Sequence, residues 1–199
     1  MKDVKIYTHQ DMMEFVREAK ARRLKGKDDL GFKGEVWLTH IRNGKAICRN
    51  EYQGHNIIPT EGLNSLLDTA VGGVSQITAW YCGIFKNNYT PIATNTASNS
   101  LGVAGYFGEC QDADYDSPAT NRPAYTIVAA SGGVITNAAA AASFTMAASI
   151  TVYGAFIASS QAKTATTGKL LAAKQFASSR AVVDNDVLLV TYQITATSS

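Results

Sequence analysis

The sequence predicts a mainly β protein: a single antiparallel β-sandwich, jelly-roll-like, with an N-terminal amphipathic helical arm in front of it and one short helix within it. Three observations predict that class. From Glu35 onward apolar residues recur with a period of two in short runs. Turn-forming clusters such as Lys86-Asn87-Asn88, Ser131-Gly132-Gly133, Thr167-Gly168 and Asp184-Asn185-Asp186 separate those runs. No repeat of roughly 20 to 50 residues is visible, which disfavours solenoids and propellers.

The first element is "THQDMMEFVREAKARRLKG". Met12, Phe15, Val16 and Ala19 recur at i, i+3, i+4 and i+7, one face of a helix, and Gly26 is positioned to end it. One narrow apolar stripe on a charged helix is too little for deep burial, so the helix is expected to lie across the domain body or a neighbouring subunit. "KGKDDLGFKG", residues 25 to 34, reads as a connector, giving an arm-plus-connector region over 1–34 and a sandwich over 35–199.

"EVWLTHIRNGKAICRNEY" then alternates on both sides of Asn43-Gly44, and both residues tolerate the positive φ of a type I′ hairpin turn. In "EYQGHNIIPTEGLNSLLDTAVGG", residues 51 to 73, Pro59 ends strand pairing because it lacks an N–H and Thr60 can cap a helix. Leu63, Leu66, Leu67 and Ala70 predict the buried stripe of that helix, over residues 60 to 71, and Gly72-Gly73 stops it. Further strands are expected at 77–85, 124–130, 133–137, 142–147, 150–158, 169–176 and 187–197. The alanines at 138–142 could form a helical turn, but their neighbours favour extended chain. Residues 86–123 are the longest weakly patterned region, and a segment of that length tends to be functional or to be ordered by a partner.

The chain has 199 residues, 46% hydrophobic and only 17% charged, so a substantial core is available beneath a weakly charged surface. Residues 1 to 50 carry 12 Lys/Arg against 7 Asp/Glu, a net of +5, whereas the remainder carries 6 against 9, a net of −3. A basic arm on an acidic body suits docking on an acidic surface, beside the simpler reading of a solvated helix face. Cys48, Cys82 and Cys110 are far apart and odd in number, with no CxxC pair, so they read as buried apolar side chains or free thiols of a reducing compartment. Neither a signal peptide nor an apolar span long enough for a membrane is expected, which points to synthesis in cytoplasm.

The functional constellations are weak. His55 with Glu61 and Asp68 imitates a base and its orienting acid, yet no Ser or Cys sits in a nucleophile pattern, so His55 and Asn56 are expected to tie off backbone groups where strand meets turn. Asp112, Asp114 and Asp116 resemble the opening of a calcium-binding loop, but Ser117 stands at the sixth position and Pro123 at the twelfth, so the expectation is an acidic loop without that site, a different Ca²⁺ geometry staying open. The glycine pairs match no phosphate-binding pattern. "KARRLKGK" lacks the interleaved aromatics of a nucleic-acid surface, and the strand aromatics, Trp37 and Trp80 among them, read as core or cross-strand pairs. No catalytic residue, cofactor, metal, nucleic acid or membrane is therefore expected.

The hairpin with its Asn-Gly turn, "GHNIIPTEGLNSLLD", "ITAWYCGIFKNNYTPIA", "RPAY" and the late "ITVYGAFIASS" with "GKLLAAKQF" together resemble a family of small virion structural proteins of tailed bacteriophages, over about residues 35 to 197. The resemblance implies a non-enzymatic particle protein: a capsid decoration (cement) protein on the virion surface, with the major capsid protein as partner and a homodimer or homotrimer as its form. On that reading Met12, Phe15 and Val16 supply an apolar grip on a neighbour, and Arg17, Lys20, Arg22, Arg23 and Lys25 orient it. Residues 86–123 are the second expected contact. A tail-fibre or head-tail adaptor piece and a host-carbohydrate-binding module are the alternatives.

Overall fold

A computed structural model describes Gln10, Met13, Glu14 and residues 31–198. Among these residues nine strands form two antiparallel sheets, as the period-two patterning requires. The strands are β1 (Gly31–Arg42), β2 (Lys45–His55), β3 (Tyr81–Phe85), β4 (Tyr115–Ser117), β5 (Val134–Thr136), β6 (Ala142–Met146), β7 (Ile150–Ala158), β8 (Leu170–Val182) and β9 (Val187–Thr197). The larger sheet runs β2-β1-β9-β6-β4, with β5 also pairing β9; the smaller runs β3-β7-β8. Two helices accompany them, α1 (Thr60–Ala70) and α2 (Ala97–Ser100). By internal contacts Phe32–Ala196 form one compact unit.

The β1–β2 hairpin closes with Arg42 opposite Lys45, and its two turn residues, Asn43 at φ 50° and Gly44 at φ 71°, take the left-handed backbone that the Asn-Gly pair was expected to supply. In β9 burial alternates strictly from Val187 to Ile194, with Leu188, Val190, Tyr192 and Ile194 turned inward. They meet Val36 and Leu38 of β1, Phe144 and Met146 of β6, and, from the other sheet, Ile84, Val152, Ala155, Ile157, Leu171 and Phe176. The Tyr192 hydroxyl spans the sandwich and donates to the Ala155 carbonyl at 2.6 Å, so this buried phenol is satisfied.

The outer face of the smaller sheet is covered too. Gly83 of β3 lies opposite Phe156 of β7, and Phe85 lies opposite Gly154. Each ring fills the space where its partner glycine has no side chain, and a Cβ on either glycine would collide with the facing ring. Phe107 stacks on Phe85 with centroids 4.8 Å apart, and Ala97, Leu101 and Leu170 complete this second cluster.

Several sequence expectations are corrected. The strand expected at 124–130 does not form: Tyr125 is buried and its N–H donates to the Trp80 carbonyl, but Ile127 and Val128 are exposed, because beyond the single bridge from Ala124 to Tyr81 no strand lies alongside to pair with. β3 begins at Tyr81 rather than Ile77. A 3-10 turn at Ala138–Ala140 stands where extended chain was favoured. β1 begins at Gly31, inside the connector expected over 25–34.

Candidate interaction surface

The 51–73 corner that imitates a catalytic site is taken apart by the fold. His55 is exposed, its Nδ1 is 3.7 Å from Glu35 and its Nε2 is 3.4 Å from the Tyr52 hydroxyl. The Glu61 carboxylate instead accepts the backbone N–H of Ala97 at 2.8 Å and that of Leu170 at 2.7 Å. It joins the first turn of α1 to the start of α2 and the start of β8. Asp68 lies further along α1, in a groove of about 380 Å³ that contains Glu61 and Lys169 but not His55. Glu61 and Asp68 do not converge on His55. The Asn56 side chain, expected to tie off backbone groups, packs against Gly34, where a Cβ would strike it, and its amide has no hydrogen-bond partner among the described residues.

The acidic loop is likewise committed internally. Asp112 accepts from Lys163 Nζ at 2.9 Å and from the Thr120 N–H, and the lysine holds its pKa below the ordinary carboxylate value. Asp114 receives Lys86 Nζ at 2.7 Å and the Gln111 N–H at 2.9 Å. Two of the three carboxylates that resemble a calcium loop thus already have cationic partners, and among the described residues no group of three His, Cys, Asp or Glu is arranged to hold a metal ion.

Residues 86–123 fold back over the small sheet and are pinned by a completely buried ion pair. Arg122 Nε donates to Glu109 Oε1 at 2.7 Å and Nη2 to Oε2 at 2.8 Å; the guanidinium also donates to the carbonyls of Ser160 and Ala165. Glu109 takes the Gly102 N–H as well. A buried charge is tolerable when its hydrogen-bonding capacity is filled in this way, and the bidentate geometry fixes the loop in one arrangement. This pairing was invisible in the sequence, since neither Glu109 nor Arg122 belongs to a periodic run. A third network holds the β8–β9 turn to β1: Asp186 accepts from Arg42 Nη2 at 2.7 Å and from the Val183 N–H at 2.9 Å, and its carboxylate lies 2.8 Å from His40 Nε2. The Arg42 guanidinium holds the Asp186 carboxyl well below the usual carboxylate range.

Of the three thiols, Cys82 and Cys110 are buried, with pKa pushed well up by the lack of solvent, and all are unbridged. Trp37 pairs across the hairpin with Tyr52, centroids 5.6 Å apart, and Trp80 packs against the main core, both as expected of strand aromatics.

The body also exposes apolar side chains. The leucine stripe of α1 was expected to face inward, and this is corrected: Gly62, Ser65, Leu66 and Thr69 face the sandwich, while Leu63, Leu67 and Ala70 are exposed. The reason is closeness. α1 lies so near the start of β8 that a Cβ on Gly62 would overlap the Leu171 carbonyl oxygen, so no side chain fits at that crossing, and the Glu61 bonds fix the helix in that rotation. Leu63, Leu67 and Val71, at i, i+4 and i+8, therefore give α1 an outward apolar ridge, with Val71 82% exposed, and Val74, also exposed, follows beyond Gly72-Gly73. A ridge of this kind can bury itself only against another molecule or segment. Met12, Phe15, Val16, Arg17, Lys20, Arg22, Arg23 and Lys25, the residues expected to grip a neighbour, lie outside the described residues. No described helix is long and apolar enough to cross a membrane. No family model, curated protein or solved structure matches the chain.

Proposed function

We propose that the protein is a non-enzymatic structural component of a tailed-phage particle, decorating the capsid and stabilising it by bridging neighbouring subunits of the major capsid protein. The observation that carries the reading is the outward ridge Leu63, Leu67 and Val71 on a body whose Glu61, Glu109, Asp112, Asp114 and Asp186 are all engaged in internal bonds. Such a surface offers a partner apolar area and little chemistry. The resemblance in residues 35–197 suggests the particle, and the sequence spacing of Met12, Phe15 and Val16 in the basic N-terminal stretch suggests a second grip. Weak contacts repeated around a symmetric shell add through effective concentration, so a modest ridge on each copy suffices.

The test is saturation of undecorated capsids with purified protein. Decoration gives on the order of hundreds of copies per particle with a raised capsid melting temperature, and Leu67→Asp removes both. A tail or adaptor role gives only a few copies, set by the symmetry of the tail. No binding to capsids or tails defeats the particle reading.

A further inference from the structure

Six lysines and arginines of the described body are at least half-buried: Arg42, Lys86, Arg122, Lys163, Lys174 and Arg180. Five face a carboxylate, namely Asp186, Asp114, Glu109, Asp112 and Glu51 in the same order, Lys174 left aside. Lys174 has neither ion pair nor hydrogen-bond acceptor among the described residues. Burial without a compensating anion lowers its pKa from the ordinary lysine value.

The surroundings make room for an anion at that ammonium. Lys174 lines a cleft of about 280 Å³ between Ala173–Ala177 of β8, the His55–Ile57 segment that follows β2, and Thr90-Pro91. No Asp or Glu lines it. Gly54 stands beside Nζ at φ 98°, and a Cβ there would come within 3.1 Å of the ammonium, so a backbone that favours glycine keeps this space open. The Thr90 hydroxyl donates to Gln175 Oε1 and Gln175 Nε2 donates to Asn88 Oδ1, so both side-chain donors on that wall are already engaged. Across the cleft lie the His55 imidazole and the Asn56 amide, and the three N–H groups of Lys174 are the charged donors that it offers an incoming acceptor. Ile57, Pro91 and Phe176 give it apolar walls.

We propose that this cleft binds one carboxylate carried on a compact apolar or sugar body, with the Lys174 ammonium as its anchor. One ammonium balances one negative charge. A phosphate dianion would call for a second permanent cation or a bidentate guanidinium, and beside Lys174 the cleft holds no other Lys and no Arg, only the His55 imidazole. The site stands apart from the α1 ridge, with which it shares no residue, so it does not depend on the particle reading.

The experiment is a titration of ¹⁵N-labelled full-length protein, followed by amide chemical shifts, with sodium benzoate, sodium glucuronate, N-acetylglutamate amide and sodium phosphate in separate arms. Saturable shifts confined to residues 54–57, 90 and 173–177 are expected with at least one carboxylate. Lys174→Met is expected to weaken that binding about tenfold or more, Lys174→Arg to retain it, and Lys169→Gln, at an exposed lysine elsewhere, to leave it unchanged. The spectrum of each variant shows directly whether it folds. Tightest binding of the blocked glutamate assigns the carboxylate to a protein side chain; tightest binding of benzoate or glucuronate assigns it to a free acid. Phosphate binding more tightly than every carboxylate, equal binding by Lys174→Met, or no saturable shift up to about 100 mM overturns the proposal.

Discussion

Residues 86–123 cover β3 and β7 with stacked rings, one turn of helix and a buried ion pair, whereas α1 meets the start of β8 with glycine and serine and turns Leu63 and Leu67 outward. The loop is the better buried of the two. Phe107 and Leu101 are completely buried within it, and so are Glu109 and Arg122 to within 1%. The difference teaches that cover over a sheet depends on how near the covering backbone comes. Where the loop stands off, phenyl rings fill the gap between backbone and sheet. Where α1 is drawn in by the Glu61 carboxylate, no side chain fits at Gly62, and Leu63 beside it points to solvent.

The sharpest way to break this contrast is at the ion pair. Arg122→Ala leaves Glu109 buried without its partner and is expected to cost about 3–5 kcal/mol, read as a lowered urea midpoint. Adding Glu109→Gln to Arg122→Ala is expected to recover part of that loss by removing the uncompensated charge; a double variant no more stable than the single would show that the pair does not pin the loop.

Gly62→Ala attacks the other side. Its methyl would collide with the Leu171 carbonyl, so α1 must move off β8, at about 1–3 kcal/mol by the same measurement. An unchanged midpoint would mean that closeness does not set the helix rotation.

Asp186 gives a pH-dependent effect. Its folded carboxyl titrates below the ordinary value, so its contribution is fully present above about pH 4 and is lost as pH falls through the folded pKa. Asp186→Asn is therefore expected to be less stable at neutral pH and to show a shallower loss of stability on acidification, followed by thermal melts from pH 7 downward. Parallel melting curves for the two proteins would remove Asp186 as the source.

The smallest expected effect is the most telling. Leu67→Asp, on the exposed ridge, should change stability by only about 0.5 kcal/mol or less, because the side chain already faces water. A loss comparable with that of Gly62→Ala would place Leu67 in an internal contact and withdraw the ridge as a docking surface.

The sequence by itself determined the elements whose signals are local. β7 and β9 occupy the expected spans 150–158 and 187–197, and Asn43-Gly44 closes the hairpin, because alternation and positive φ are properties of a few adjacent residues. The existence of α1 was legible in the same way. Which face it buries was not, since an apolar stripe records only that those side chains lose by exposure, and says nothing of how closely a distant strand approaches. The covering of the small sheet was hidden for a related reason: Glu109 and Arg122 are 13 residues apart, and their ring-filled neighbours Gly83 and Gly154 are further apart still. Ion pairing and glycine-to-ring packing depend on positions in space. Tertiary structure alone decided that the least patterned segment would be sealed to the sheet and the most plainly amphipathic helix left with Leu63 and Leu67 facing water.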